Sequence, residues 1–128
     1  MYYEPHHIHL MSHDAMRAGH YYETMFNAQI EQSEGANGLP RCNMRLGDQT
    51  FLISTVTETV TQQASGPHSC LGLDHIGLHV ENVVRAVQDL KAKGAKITMQ
   101  PRSNGRTTIA FVEGPDGVSI ELLSFDES

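Results

Sequence analysis

The chain has little of what would tie it to a polymer or a membrane. Lysine and arginine number only 9 against 15 acidic residues, a formal charge of −6, and so few cations suit neither nucleic acid nor another polyanion. No stretch approaches the roughly 18 consecutive apolar residues of a spanning helix. The N-terminus has neither the basic segment nor the apolar run of a signal peptide, so a cytoplasmic protein with no membrane partner is expected. Cysteine is scarce: Cys42 and Cys70 are the only two, and neither stands in Cys-x-x-Cys spacing. A reduced pair with no assigned role is the expectation. A small-molecule or a protein partner remains open, on a chain of 128 residues, enough for one domain or two half-domains sharing a core.

What the chain does have is histidine: eight in all, five of them between positions 6 and 20. His6, His7, His9 and His13 are interleaved with Ile8, Leu10 and Met11, unlike the uninterrupted run of an expression tag. Residues 6–13 alternate, with Ile8, Leu10 and Ser12 on one side and His7, His9, Met11 and His13 on the other, as a strand of period two requires. Asp14 is a good N-cap for a helix over 15–26, whose apolar face carries Ala18, Tyr22, Met25 and Phe26, with Asn27 as a left-handed terminator.

Strand-like pieces follow at 28–33, 41–46 and 49–57, the last rich in β-branched and aromatic residues. Residues 58–71, rich in Thr, Gln, Ser and Gly, read as a linker. The order then repeats. At a constant offset of 68 positions His7 pairs with His75, Ile8 with Ile76, Leu10 with Leu78 and Asp14 with Asn82. A strand over 73–80 leads through the N-cap Asn82 to a helix stopped by Gly94, and strands follow at 95–99, 107–113 and 118–124. Each half, 1–57 and 72–128, is βαβββ; a repeat this short implies that the halves join in one unit.

These residues resemble the vicinal oxygen chelate superfamily, which includes glyoxalase I, methylmalonyl-CoA epimerase, extradiol dioxygenases and fosfomycin- and bleomycin-resistance proteins. The resemblance is carried by His7 to Asp14 with Tyr21-Tyr22, by Leu73 to Gly94, and by Ile109 to Leu122 with its Gly114-Pro115-Asp116-Gly117 turn. It implies an α+β fold of two βαβββ modules forming a curved eight-stranded mixed sheet around a metal cavity. It further implies a homodimer, and one divalent ion (Mn, Fe, Co, Ni or Zn) held by His7, His75 and Glu121. The residues themselves agree about Glu121. It lies between apolar Ile120 and Leu122 on a half-buried strand, where a carboxylate needs either an ion pair or a metal.

Two imidazoles and a carboxylate leave positions open for substrate oxygens, an arrangement for Lewis-acid chemistry. Glyoxalase I and the epimerase have a fourth ligand, Glu or Gln, on the last strand of the first module. Leu52 stands there in this chain, and its neighbours Thr50 and Ser54 offer no base. Extradiol dioxygenases carry a separate acid-base histidine late in the chain, but no histidine follows His79. His9, two residues along from His7 on the same strand face, is a candidate general acid or base in the role Leu52 has vacated, or else a polar pocket-lining residue. Glu121 is the other candidate catalytic group.

Arg45, Arg102 and Arg106 are candidates for an anionic substrate group, with solvated surface arginine as the alternative. Phe111, where the dioxygenases carry a tyrosine, is a candidate for substrate contact. Tyr21 and Tyr22 are expected in the core. The resulting expectation is a metal-dependent enzyme acting on an oxygen-chelating small molecule by lyase or isomerase chemistry. The alternatives are an Fe(II) ring-cleaving dioxygenase and a non-catalytic binding or resistance protein.

Overall fold

The structure, a computed structural model, describes residues 1, 2, 4–61, 68 and 71–126. It divides into two compact units, Met1–Thr61 and Gln62–Ser128. Most of the expected linker, and Cys70 with it, lies outside the described residues.

In the first unit Asp14 caps α1 (Ala15–Phe26), accepting from the Arg17 amide at 3.1 Å, and Asn27 ends it in the left-handed region at φ 59°. Both ends fall where the sequence puts them. Four strands follow the expected order: β1 (Ile8–Ser12), β2 (Gln29–Glu34), β3 (Pro40–Leu46) and β4 (Gln49–Thr55). They form one sheet in the order β1-β4-β3-β2, with β1 parallel to β4 and the other neighbours antiparallel.

Helix α1 covers one sheet face and touches all four strands. Its buried residues, Ala15, Ala18, Gly19 and Tyr22, meet Cys42 and Met44 of β3 and Phe51 and Ile53 of β4, all buried. Gly19 is the closest approach: a Cβ there would overlap Cys42 Sγ. Period-two alternation then sends His9, Asn43, Leu52 and Ser54 to the face away from the helix.

The second unit repeats the plan: β5 (Ile76–His79), α2 (Val83–Ala92), β6 (Lys96–Ser103), β7 (Thr107–Glu113) and β8 (Ser119–Phe125), in the order β5-β8-β7-β6. Asn82 caps α2 through the Arg85 amide at 3.0 Å, and Gly94 follows the helix at φ 90°. The core here is Val83, Val87 and Leu90 of the helix with Ile76, Ala110, Val112, Ile120 and Leu122 of the sheet. The eight expected strands are thus present as two four-stranded sheets, one in each module.

Most strand boundaries move by one or two residues from expectation, and two differences bear on the site and the sheet edge. β5 begins at Ile76, so His75 precedes its strand by one residue, just as His7 precedes β1. β6 runs on to Ser103 through Pro101, where a loop is expected. β6 is the sheet edge, and its register with β7 shifts between Met99 and Arg102. A bulge on an edge strand is where a proline without an N–H can be accommodated.

Candidate functional site

Glu121 sits on β8 between the wholly buried Ile120 and Leu122 and points to the face away from α2, with its side chain 18% exposed. Its neighbours in the sheet are Gly77 of parallel β5 and Phe111 of antiparallel β7. Gly77 has no side chain to crowd the carboxylate; a Cβ there would stand 3.6 Å from Glu121 Oε1. Phe111 is buried and lies edge-on to the His75 ring at 5.3 Å. It therefore walls the imidazole on that side.

His75 Nε2 faces Glu121 Oε1 at 3.5 Å, while Nδ1 is 2.7 Å from Asp74 Oδ2. That bond, together with the His68 backbone N–H donated to the same carboxylate, holds the Asp74 carboxyl below the usual carboxylate range. An ionised Asp74 only accepts, so the proton of a neutral His75 belongs on Nδ1 and Nε2 carries the lone pair. Two acceptors then face each other, an arrangement that calls for a cation or a proton between them. Two donors on one ion at about 2.1 Å each lie no more than about 4.2 Å apart, so the 3.5 Å separation fits a shared divalent ion. The carboxylate–histidine pair behind it is the usual support of a metal-binding imidazole. Among the described residues no group of three or more His, Cys, Asp or Glu side chains is gathered to hold a metal ion by itself; His75 and Glu121 supply two donors.

In the first module His7 is exposed, with its Nδ1 2.9 Å from His6 Nδ1 and its ring 6.1 Å from that of His9. His9 is the parallel-strand neighbour of Leu52, and its Nε2 lies 2.7 Å from Ser54 Oγ. Arg41 is the neighbour of Ser54 on β3 and donates through Nε to Ser33 Oγ at 3.3 Å. Arg45 is exposed, 4.0 Å from Asp48.

Arg102 is exposed on the edge strand β6. Arg106 is exposed in the following turn, its amide on Asn104 Oδ1 at 2.9 Å and its carbonyl accepting from the Asp126 amide at 2.7 Å. Among the described residues neither Arg102 nor Arg106 makes a hydrogen bond or ion pair with His75 or Glu121. Tyr22 is buried as expected, and Tyr21 is half-buried. Sequence reasoning passed over Asp74 and Arg41 and weighed Ser54 only as a replacement base. Asp74 had a signal, an acid directly before a candidate metal-binding histidine, whereas Arg41 and the pairing of Ser54 with His9 become visible only once strand register is known.

Residues 6–112 match the sequence profile of the Glyoxalase/Bleomycin resistance protein/Dioxygenase superfamily. A probable chloroplastic lactoylglutathione lyase of Arabidopsis thaliana is 44% identical over 54 residues, 41% of this chain and 15% of that protein. The lactoylglutathione lyase of Escherichia coli O157:H7 is 43% identical over 51 residues, 38% of each chain. The matched stretch thus spans less than half the length of these curated relatives. Among solved structures, glyoxalase I from Zea mays superposes with a TM-score of 0.75 at 21% identity, over 95% of this chain and 44% of that one. The fosfomycin resistance protein FosX from Listeria monocytogenes gives 0.76 at 17% identity, over 98% and 94%. At such identities these two likenesses concern the fold.

Proposed function

From the premise that the chain belongs to the Glyoxalase/Bleomycin resistance protein/Dioxygenase superfamily, we propose that it is a divalent-metal-dependent lyase or isomerase acting on a small molecule with neighbouring oxygen atoms. The observation that carries the reading is His75 Nε2 turned toward Glu121 Oε1 at 3.5 Å while Nδ1 is engaged by Asp74. His75 and Glu121 would hold the ion, with His7, the repeat partner of His75, as the third protein ligand. Such an ion supplies Lewis-acid polarisation of a substrate oxygen.

The residues do the rest. Asp74 keeps the His75 proton on Nδ1 and so keeps Nε2 available. Phe111 limits the swing of the His75 ring and gives the substrate an apolar wall. His9 carries the proton that a carboxylate at position 52 would otherwise move. The curated relatives named for lactoylglutathione support lyase chemistry and suggest the first probe, the hemithioacetal of glutathione and methylglyoxal.

Metal-stripped protein titrated with Mn, Co, Ni and Zn should take up a single ion per chain. Uptake should be lost in His75→Ala and Glu121→Ala and weakened about 10- to 100-fold in Asp74→Ala. Failure to bind any of the four ions, or full affinity in Glu121→Ala, would overturn the ligand assignment. Conversion of the hemithioacetal to a thioester, with solvent hydrogen entering at the carbon beside the carbonyl, is the expected activity. The reading includes the homodimer implied by resemblance, and a one-chain mass in sedimentation would remove that part.

A further inference from the structure

The structure assigns to Arg41, on the first module's sheet face turned from α1, the binding of a carboxylate group of the substrate. That the ligand is a substrate rests on the lyase or isomerase reading; that the site takes a carboxylate does not.

Arg41 differs from every other cation of the chain. The nine lysines and arginines are all described, and eight of them are exposed, whereas Arg41 is half-buried. Several of the exposed ones also have an acid within reach: Arg45 has Asp48, Lys93 has Asp89 and Lys96 has Glu113. Among the described residues of the first unit Arg41 makes no ion pair, and its side chain is held by one hydrogen bond, from Nε to Ser33 Oγ at 3.3 Å. Glu31, the acid on the same face of β2, stands opposite Asn43 and not opposite Arg41. A cation partly withdrawn from water without a counter-ion is costly, and a bound carboxylate removes that cost.

The fold does not ask for an arginine here. By register the matching position on β7 of the second module is Ile109, whose neighbour Leu123 corresponds to Ser54. A cross-strand pair such as Arg41 with Ser33 contributes only about 0.2–1 kcal/mol, which an uncharged pair would also supply.

The way the side chain is held suits a carboxylate. An arginine has no acceptor, so the direction of its bond to Ser33 is fixed: Nε–H donates and Oγ accepts. The Ser33 hydroxyl in turn donates to Asn43 Oδ1 at 3.3 Å, which ties the guanidinium back to its own strand. With Nε engaged, the N–H groups of the two terminal nitrogens are left, and they run parallel from one edge of the planar group. That edge matches the two oxygens of a carboxylate. Around it the ladder places neutral groups that repel no anion: Ser33 and Ser54 flank Arg41, and Asn43 lies two residues along β3.

Nitrogen-15 NMR of the arginine Nε–H groups tests the site without turnover, with acetate as probe and neutral acetamide as control at constant ionic strength. The Arg41 signal should exchange with solvent more slowly than those of the other five arginines and lose that protection in Ser33→Ala. It should shift saturably with acetate and stay in place with acetamide. With the glutathione–methylglyoxal hemithioacetal, whose glutathione part carries carboxylates, Arg41→Ala should raise KM about 10- to 100-fold with kcat within about twofold. Arg41→Lys should recover only part of this, because a point charge cannot make the paired contact. Against the hemithioacetal of glutathione diethyl ester, wild type and Arg41→Ala should have the same KM. An Arg41 signal indifferent to acetate, or an unchanged KM in Arg41→Ala with the unesterified probe, overturns the assignment; the acetate titration needs only wild type and decides even where a variant fails to fold. If acetate binds at Arg41 but wild type turns over none of the probe, the lyase reading fails on this substrate and the carboxylate site stands. If wild type turns over the probe while acetate leaves Arg41 unmoved, the reading stands and the site falls.

Discussion

Gly19→Ala should destabilise the protein while Cys42 is present and stabilise it once Cys42 is reduced to alanine. A Cβ on Gly19 would overlap Cys42 Sγ and also meet Cys42 Cβ at 3.4 Å and Ile30 Cγ2 at 3.6 Å. Cys42 is wholly buried, so in a close-packed interior its sulfur has little space to swing into, and either it leaves its rotamer or the helix lifts. Overpacking by a methyl group costs about 1–3 kcal/mol, and overlap with the sulfur places this case toward the upper end. Alanine recovers about 0.8–1.0 kcal/mol over glycine as a helix former. The net loss should be about 1.5–2 kcal/mol.

In a Cys42→Ala background only the tight 3.4 Å contact remains, and the same change should gain about 0.5 kcal/mol. The double-mutant cycle therefore carries a coupling of about 2 kcal/mol. Urea unfolding of the four proteins, followed by far-UV circular dichroism, measures it. Equal losses in both backgrounds would refute the idea that the glycine admits the Cys42 side chain, and with it this account of how α1 is seated on the sheet that carries His9.

Asp126 accepts from Ser103 Oγ at 2.5 Å and Thr108 Oγ1 at 2.6 Å, bonds that hold its carboxyl below the usual carboxylate range. Its stabilising contribution is therefore complete above the unfolded pKa of about 4 and is lost as pH falls through the lower folded value; Asp126→Asn should flatten the acid limb of a stability-against-pH curve, and an unchanged limb would count against the bonds. Burial pushes the Cys42 thiol up, so in a Cys70→Ser protein a thiol reagent at neutral pH should label Cys42 slowly until denaturant is added. Removing either helix cap, by Asp14→Ala or Asn82→Ala, should cost about 1 kcal/mol in the same urea assay.

Local signals carried most of the fold. The Asp14 and Asn82 caps, the left-handed Asn27 and the alternation of residues 6–13 depend on neighbours in sequence, and they place α1, α2 and β1 closely. The run of β6 through Pro101 was not legible. Whether a proline interrupts a strand depends on whether the strand is an edge, and edges are set by the sheet order. The site divides in the same way. Glu121 shows itself by the apolar residues on either side, and His75 by the repeat. Asp74 as the brace behind His75 requires knowing which ring nitrogen points where, and Ser54 as the partner of His9 requires the β1/β4 register, which joins residues 45 positions apart.

Aligned by register, the modules differ most where the repeat ought to be strongest. On the faces turned from the helices, His9, Ser54, Asn43 and Arg41 of the first module correspond to Gly77, Leu123, Phe111 and Ile109 of the second, and Leu52 corresponds to Glu121. At these five pairs the polar residue of one is apolar or bare in the other, whereas Arg45 and Thr50 correspond to the polar Glu113 and Ser119. The exchange has a local logic. Gly77 on β5 leaves the Glu121 carboxylate uncrowded, a Cβ there standing at an ordinary 3.6 Å, and on β1 the His9 imidazole has Leu52 as its strand neighbour and Ser54 Oγ as its hydrogen-bond partner. Under the proposed reading the donor for a cation and the group that moves protons are not carboxylates on one strand pair, and each has neighbours suited to its own task.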